Sequence, residues 1–100
     1  METWSCFDTS DYGQRKVLVV LKRYEATGEQ FGTVAVAGVS YMAIFKVEGF
    51  DRRWSFGPMG ATTDYSFVIR ADGTGLYYDF SMSDPGTVVK PTQFFDCKET

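Results

Sequence analysis

The sequence predicts a small all-β domain, an antiparallel meander closing into a barrel, with a two-sheet β-sandwich as the alternative and little or no helix. Three observations carry that expectation. Short runs alternate apolar and polar residues with a period of two, the spacing that puts one face of a strand on a core. Glycine-rich or polar punctuation separates those runs at hairpin distances. Two cysteines, Cys6 and Cys97, stand close to the two ends of a 100-residue chain. That length fits one domain, residues 1–100, and is too short for two units that each bury a core.

Taken in order, Trp4-Ser5-Cys6-Phe7-Asp8 reads as a first short strand and Thr9 to Gln14 as a turn. Arg15 to Tyr24 follows as a valine-rich strand, with Val17, Val19 and Leu21 on one face and Leu18 and Val20 on the other. Apolar residues on both faces place it centrally, and no cap precedes it to favour a helix. Glu25 to Gln30, with Gly28, forms a hairpin loop. From Phe31 to Glu48 the apolar set Ala35, Ala37, Val39, Tyr41, Ala43, Phe45 and Val47 alternates for too long to lie in one flat strand, so a kink or bulge is expected at Gly38.

Gly49 to Asp51 turns the chain into a short strand, Arg52 to Phe56, that ends at Gly57-Pro58. Met59 to Thr63 is expected to be a small mobile loop. The sharpest local signal comes next: Tyr65 to Arg70 and Thr74 to Phe80 flank Ala71-Asp72-Gly73, which fits a type I turn followed by a left-handed Gly73. That turn sets Arg70 opposite Thr74, Val68 opposite Leu76 and Ser66 opposite Tyr78. It also sets Phe67 opposite Tyr77 and Tyr65 opposite Asp79, with aromatic residues on both faces. Ser83 to Gly86 makes another turn, and Thr87 to Lys90, Pro91 and a last run to Cys97 complete about eight strands.

The cysteines are read as a disulfide. Two thiolates cannot complete a zinc site, and a chain without histidine lacks the usual co-ligands, so no metal or cofactor is expected. Closing a loop of about ninety residues contributes roughly 4 to 5 kcal/mol in the chain-entropy view. A bond between Cys6 and Cys97 also implies an oxidising compartment, periplasmic or secreted. Met1-Glu2-Thr3-Trp4 has neither a basic nor an apolar leader segment. Two readings therefore stay open: a cytoplasmic chain, or an exported one whose signal is not in this sequence.

A net charge of −3 and a pI near 4.8 repel phosphate backbones and argue against nucleic acid as a partner. No apolar run approaches the length of a membrane-spanning helix. The absence of histidine removes the usual general base and the usual partner of a nucleophilic serine or cysteine, so no catalytic residue is assigned. A carboxylate enzyme would have to draw on Asp51, Asp64, Asp79 and Asp84, whose spacing does not converge them and two of which sit in turns.

The candidate binding residues are Arg52, Arg53 and Trp54, a cluster of the types that anchor interfaces, and the hairpin aromatics Tyr65, Phe67, Tyr77 and Tyr78. A competing reading puts Trp54 and Phe56 in the core, Arg52 and Arg53 at a strand end, and the tyrosines inside the barrel as filling. Phe67 to Tyr78, with its Asp72-Gly73-Thr74-Gly75 tip, is similar to hairpins in lipocalin-like barrels. That resemblance spans about a tenth of the chain, and Trp4 stands between Thr3 and Ser5 rather than in the Gly-x-Trp signature, so it implies nothing about function.

The expectation is a non-enzymatic binding module, an exported bacterial-type small barrel that takes a protein or a small apolar ligand through aromatic and arginine side chains. The alternative is an intracellular acidic interaction or inhibitor protein of a host or phage system, with reduced cysteines.

Overall fold

The computed structural model describes residues 2–9, 18–26, 29–58, 60–81 and 88–100. The turns expected at residues 10–14 and 83–86 and the strand start at residues 15–17 lie outside them. Eight antiparallel strands follow one another around a closed barrel: β1 (Glu2–Asp8), β2 (Leu18–Ala26), β3 (Glu29–Val36), β4 (Val39–Glu48), β5 (Asp51–Gly57), β6 (Gly60–Ile69), β7 (Thr74–Asp79) and β8 (Gln93–Glu99). β8 pairs with β1, so every strand has two neighbours and no edge remains. Cys6 and Cys97 are direct partners in that last pairing, their Cα atoms 4.0 Å apart, and they form a disulfide. The bond therefore closes a barrel at its seam. Such a bond is compatible with an oxidising, extracellular compartment.

Four elements differ from the sequence expectation. The stretch from Phe31 to Glu48 is not one bent strand but two, β3 and β4, joined by the two-residue turn Ala37-Gly38. Both turn residues have positive φ, 51° and 82°, which is the primed geometry that matches strand twist. A two-residue turn also reverses parity: Val34 and Val36 face inward on β3 where Ala35 was expected, while Tyr41, Ala43 and Phe45 face inward on β4 as the alternation predicts. The second difference is at Glu25 to Gln30, where β2 and β3 stay paired out to Ala26 and Glu29. Third, residues 60–63 belong to β6 rather than to a loop, because Gly57 and Gly60 pair across Pro58. Fourth, residues 88–92 are irregular, and the last strand starts at Gln93.

The β6–β7 hairpin has the expected register at every pair, from Val68 opposite Leu76 to Tyr65 opposite Asp79. Its turn is closed by Gly73 N–H donating to Arg70 O and by Arg70 N–H donating to Thr74 O, both at 2.9 Å, with Gly73 at a φ of 90°. On β2, Val19 and Leu21 are buried inside the barrel while Leu18 is exposed, so the strand's second apolar face lies on the barrel exterior.

The interior holds Cys6, Val19, Leu21, Val34, Ala43, Phe45, Trp54, Phe56, Phe67, Ile69, Phe95 and Cys97. Two glycines make room for its largest groups. A Cβ on Gly32 would lie 2.7 Å from Trp54 Nε1 and would also strike the Lys22 carbonyl, the two atoms that bond to each other across that gap. A Cβ on Gly75 would lie 2.7 Å from Cys97 Sγ and 2.9 Å from Phe95 Cβ. Both are cases of glycine admitting a close approach inside a strand.

Candidate functional site

An up-and-down barrel has two ends, and each strand delivers inward side chains to both. One end carries the start of β1 and the turns β2–β3, β4–β5 and β6–β7. There Glu2, Trp4, Arg23 and Arg52 converge. Trp4 Nε1 donates to Glu2 Oε1 at 2.6 Å. The other carboxylate oxygen of Glu2 lies 3.5 Å from a terminal nitrogen of Arg23, and Arg52 pairs with the same carboxylate. Arg23 lies over the Phe45 ring at 4.6 Å and Arg52 over the Trp4 ring at 5.2 Å. Burial pushes the Glu2 carboxyl up, but the Trp4 hydrogen bond and the two guanidinium groups outweigh it and hold the carboxyl below its ordinary value. Behind this layer Trp54 is fully buried, edge-on to Phe45 at 4.8 Å, with its Nε1 donating to Lys22 O at 2.9 Å. Ions and indoles thus plug this end of the barrel.

The other end is different. The inward residues of the opposite strand halves enclose a cavity of about 300 Å³ lined by Val19, Val34, Val36, Tyr41, Phe56, Pro58, Tyr65, Phe67, Tyr77, Gln93 and Phe95. Pro58 is exposed, so the cavity reaches the barrel mouth there. Its wall is an aromatic cluster centred on Phe56, whose ring lies 5.7 Å from Tyr41, 5.6 Å from Tyr65 and 6.4 Å from Tyr77. Tyr65 and Tyr77 stack at 6.1 Å. Burial, then the nearby Asp79 carboxylate and the neighbouring phenols of Tyr65 and Tyr41, push the Tyr77 hydroxyl up to about 12. It is a neutral donor across all physiological pH. At the rim Gln93 Nε2 lies 3.4 Å from Oδ2 of Asp8, a carboxylate that is only 7% exposed.

The candidate binding residues therefore separate. Tyr65, Phe67 and Tyr77 line the cavity together. Trp54 and Arg52 belong to the plugged end, and Arg53 faces outward beside Glu48 at 3.3 Å. Tyr78 lies on the outer face of β7, its ring parallel to that of Phe80 at 5.8 Å. Sequence reasoning did not bring Tyr41, Gln93 or Asp8 to the site. Tyr41 was legible as an inward residue of its strand; Gln93 and Asp8 reach the rim only because β8 closes on β1, with Asp8 opposite Phe95.

Of the four aspartates weighed for catalysis, Asp64 and Asp79 lie on the paired strands β6 and β7 at the open end. Asp51 is in the turn region of the plugged end. Asp79, at the other end, accepts hydrogen bonds from Ser81 N–H and Oγ–H. Residue 84 is outside the described residues. Among the described residues no group of three or more His, Cys, Asp or Glu is placed to hold a metal ion, and no helix is long and apolar enough to cross a membrane. No protein-family model, curated protein or solved structure matches this chain.

Proposed function

We propose that the protein is a non-enzymatic, exported binding module that receives a small, largely apolar ligand in the tyrosine-lined cavity. The carrying observation is the asymmetry of the barrel interior: one end is filled by an ion-and-indole plug, while the other leaves about 300 Å³ between aromatic walls. That volume lies at the lower limit of small-molecule sites, which are concave, mostly apolar and carry a few polar groups to orient the ligand. The hydroxyls of Tyr41, Tyr65 and Tyr77 and the Gln93 amide are those polar groups. The Cys6–Cys97 disulfide supports a periplasmic or secreted setting.

Titration with N-phenyl-1-naphthylamine, a neutral apolar fluorophore, tests the reading. Saturable one-to-one enhancement is expected, and Val36→Phe, which fills the cavity from its wall, should abolish it while the protein stays folded. Unsaturable fluorescence, or binding indifferent to Val36→Phe, would refute the cavity as a ligand site. The intracellular reading requires separate thiols; counting thiols in the denatured, unreduced protein from its native compartment decides between the two.

A further inference from the structure

We propose that the ligand of this cavity is an uncharged, ring-bearing carbonyl compound of the aryl ketone, ester or lactone class; the proposal rests on the cavity being a ligand site at all. The polar equipment of the wall is a set of phenols. Tyr41, Tyr65 and Tyr77 enter from β4, β6 and β7, and their rings surround Phe56 at 5.7, 5.6 and 6.4 Å. Tyr65 and Tyr77 lie against each other, centroids 6.1 Å apart and planes 21° from parallel, so the ring faces between them are taken. Their hydroxyls are not. Among the described residues none of the three tyrosine hydroxyls is hydrogen-bonded within the protein. They are also near enough together for Tyr65 and Tyr41 to bear on the ionisation of Tyr77. A phenol oxygen shares a lone pair with its ring and therefore donates more readily than it accepts. Unspent donors gathered on one cavity call for an acceptor on the ligand, because a polar group buried without a partner is costly.

The same wall argues against charge. No charged side chain is among the described residues that line the cavity. Two carboxylates at this end are already engaged: Asp79 accepts from Ser81 N–H and Oγ–H, and Asp8 accepts from the Gln93 amide. The inward arginines, Arg23 and Arg52, stand at the far end with Glu2. A ligand entering with a charge of either sign would give up its hydration and find no counter-ion on the wall. A carbonyl oxygen, by contrast, accepts from phenols while the molecule stays neutral. Val19, Val34 and Val36 supply an apolar surface for its ring, and about 300 Å³ admits a bicyclic ring with a small substituent.

Four planar probes with one skeleton separate charge from hydrogen bonding: 2-acetylnaphthalene, 2-isopropenylnaphthalene, 2-naphthoate and 2-naphthamidinium. They present a ketone, an alkene, an anion and a cation on the same ring. Binding is followed at neutral pH through the ring NMR signals of the tyrosines, at about 0.15 M salt to screen the net charge of −3. The ketone should bind roughly tenfold tighter than the alkene, the scale of one or two hydrogen bonds, and at least as far ahead of both ions. Tyr65→Phe and Tyr77→Phe should each remove several-fold of the ketone's advantage and leave the alkene's affinity unchanged, a split that a merely structural loss would not produce. The probe series on the parent protein carries the test if these variants do not fold. If the alkene or either ion binds as tightly as the ketone, or the ketone keeps its advantage when both tyrosines are replaced, the carbonyl assignment is overturned while the cavity reading stands. If none of the four binds, both fall.

Discussion

The two ends of the barrel are built from the same alternation of inward side chains, yet one is a structural plug and the other a cavity. At the plugged end the inward positions are long and charged or indolic and engage one another: Glu2 meets Trp4, Arg23 and Arg52, and Trp54 donates to a main-chain carbonyl. Burying such groups is costly when a partner is removed, so substitutions at this end should cost stability. At the open end the inward positions are valines, tyrosines and phenylalanines that leave space between them. The difference teaches where substitutions should cost stability and where they should cost binding.

The largest effect is expected at the seam between the two ends. Replacing both Cys6 and Cys97 by alanine frees the closure of β8 on β1 and should lower unfolding free energy by about 4 kcal/mol. Equilibrium urea unfolding measures it. A loss below about 1 kcal/mol would mean that the hydrogen bonds of the seam close the barrel by themselves.

Next comes the plugged end. Gly32→Ala puts a methyl where the Trp54 indole crosses β3, displacing the Trp54 Nε1 to Lys22 O bond and the largest buried side chain together. A loss of about 2 to 3 kcal/mol is expected, in the range of overpacking a core. The same substitution should leave fluorophore affinity at the open end within about twofold, since sites without shared contacts add independently. A large affinity change would break the division between ends.

How much of this division the sequence discloses depends on the range of the interaction. The β6–β7 hairpin is legible residue by residue because Asp72-Gly73 specifies a turn, and the turn fixes the register of Tyr65, Phe67 and Tyr77. The β3–β4 hairpin is not, because Ala37 lacks the Asn or Asp that announces a primed turn, and a missed two-residue turn inverts the facing of everything before it. The disulfide is legible from the positions of two cysteines. The plug is not: Glu2 and Arg23 are opposite each other on β1 and β2, but Arg52, on β5, reaches them only across the closed barrel. Arg52, singled out beside Trp54, pairs with Glu2 and lies over the Trp4 ring at that end.

Glu2→Gln probes the plug more gently. Its carboxyl is held below the ordinary value in the folded state, so it contributes stability above that value, and the contribution fades as pH falls through the folded pKa. The substitution should cost about 1 to 2 kcal/mol at pH 7, the scale of hydrogen bonds to a charged group, and should narrow the gap from the parent protein on acidification. Urea midpoints at pH 7 and pH 3 give both quantities. A constant offset between the two proteins at both pH values would assign the loss to packing.

The smallest effect on stability belongs to the open end, and its pH dependence has the opposite sign. The Tyr77 hydroxyl ionises near 12 in the folded protein, mainly because it is buried and then because Asp79 and two phenols surround it, against about 10 in the unfolded chain. Below pH 10 both states hold the proton and Tyr77 contributes no pH dependence. Between 10 and 12 the unfolded chain releases the proton first, so stability falls as pH rises through that window. Tyr77→Phe removes the group that titrates, and it should therefore leave stability at pH 7 nearly unchanged while making the decline between pH 10 and 12 shallower. The cavity reading adds a second requirement, that the same substitution weaken ligands which accept a hydrogen bond from that hydroxyl more than those which do not. If the alkaline decline is as steep in Tyr77→Phe as in the parent, the Tyr77 hydroxyl is in contact with water rather than walled into the cavity.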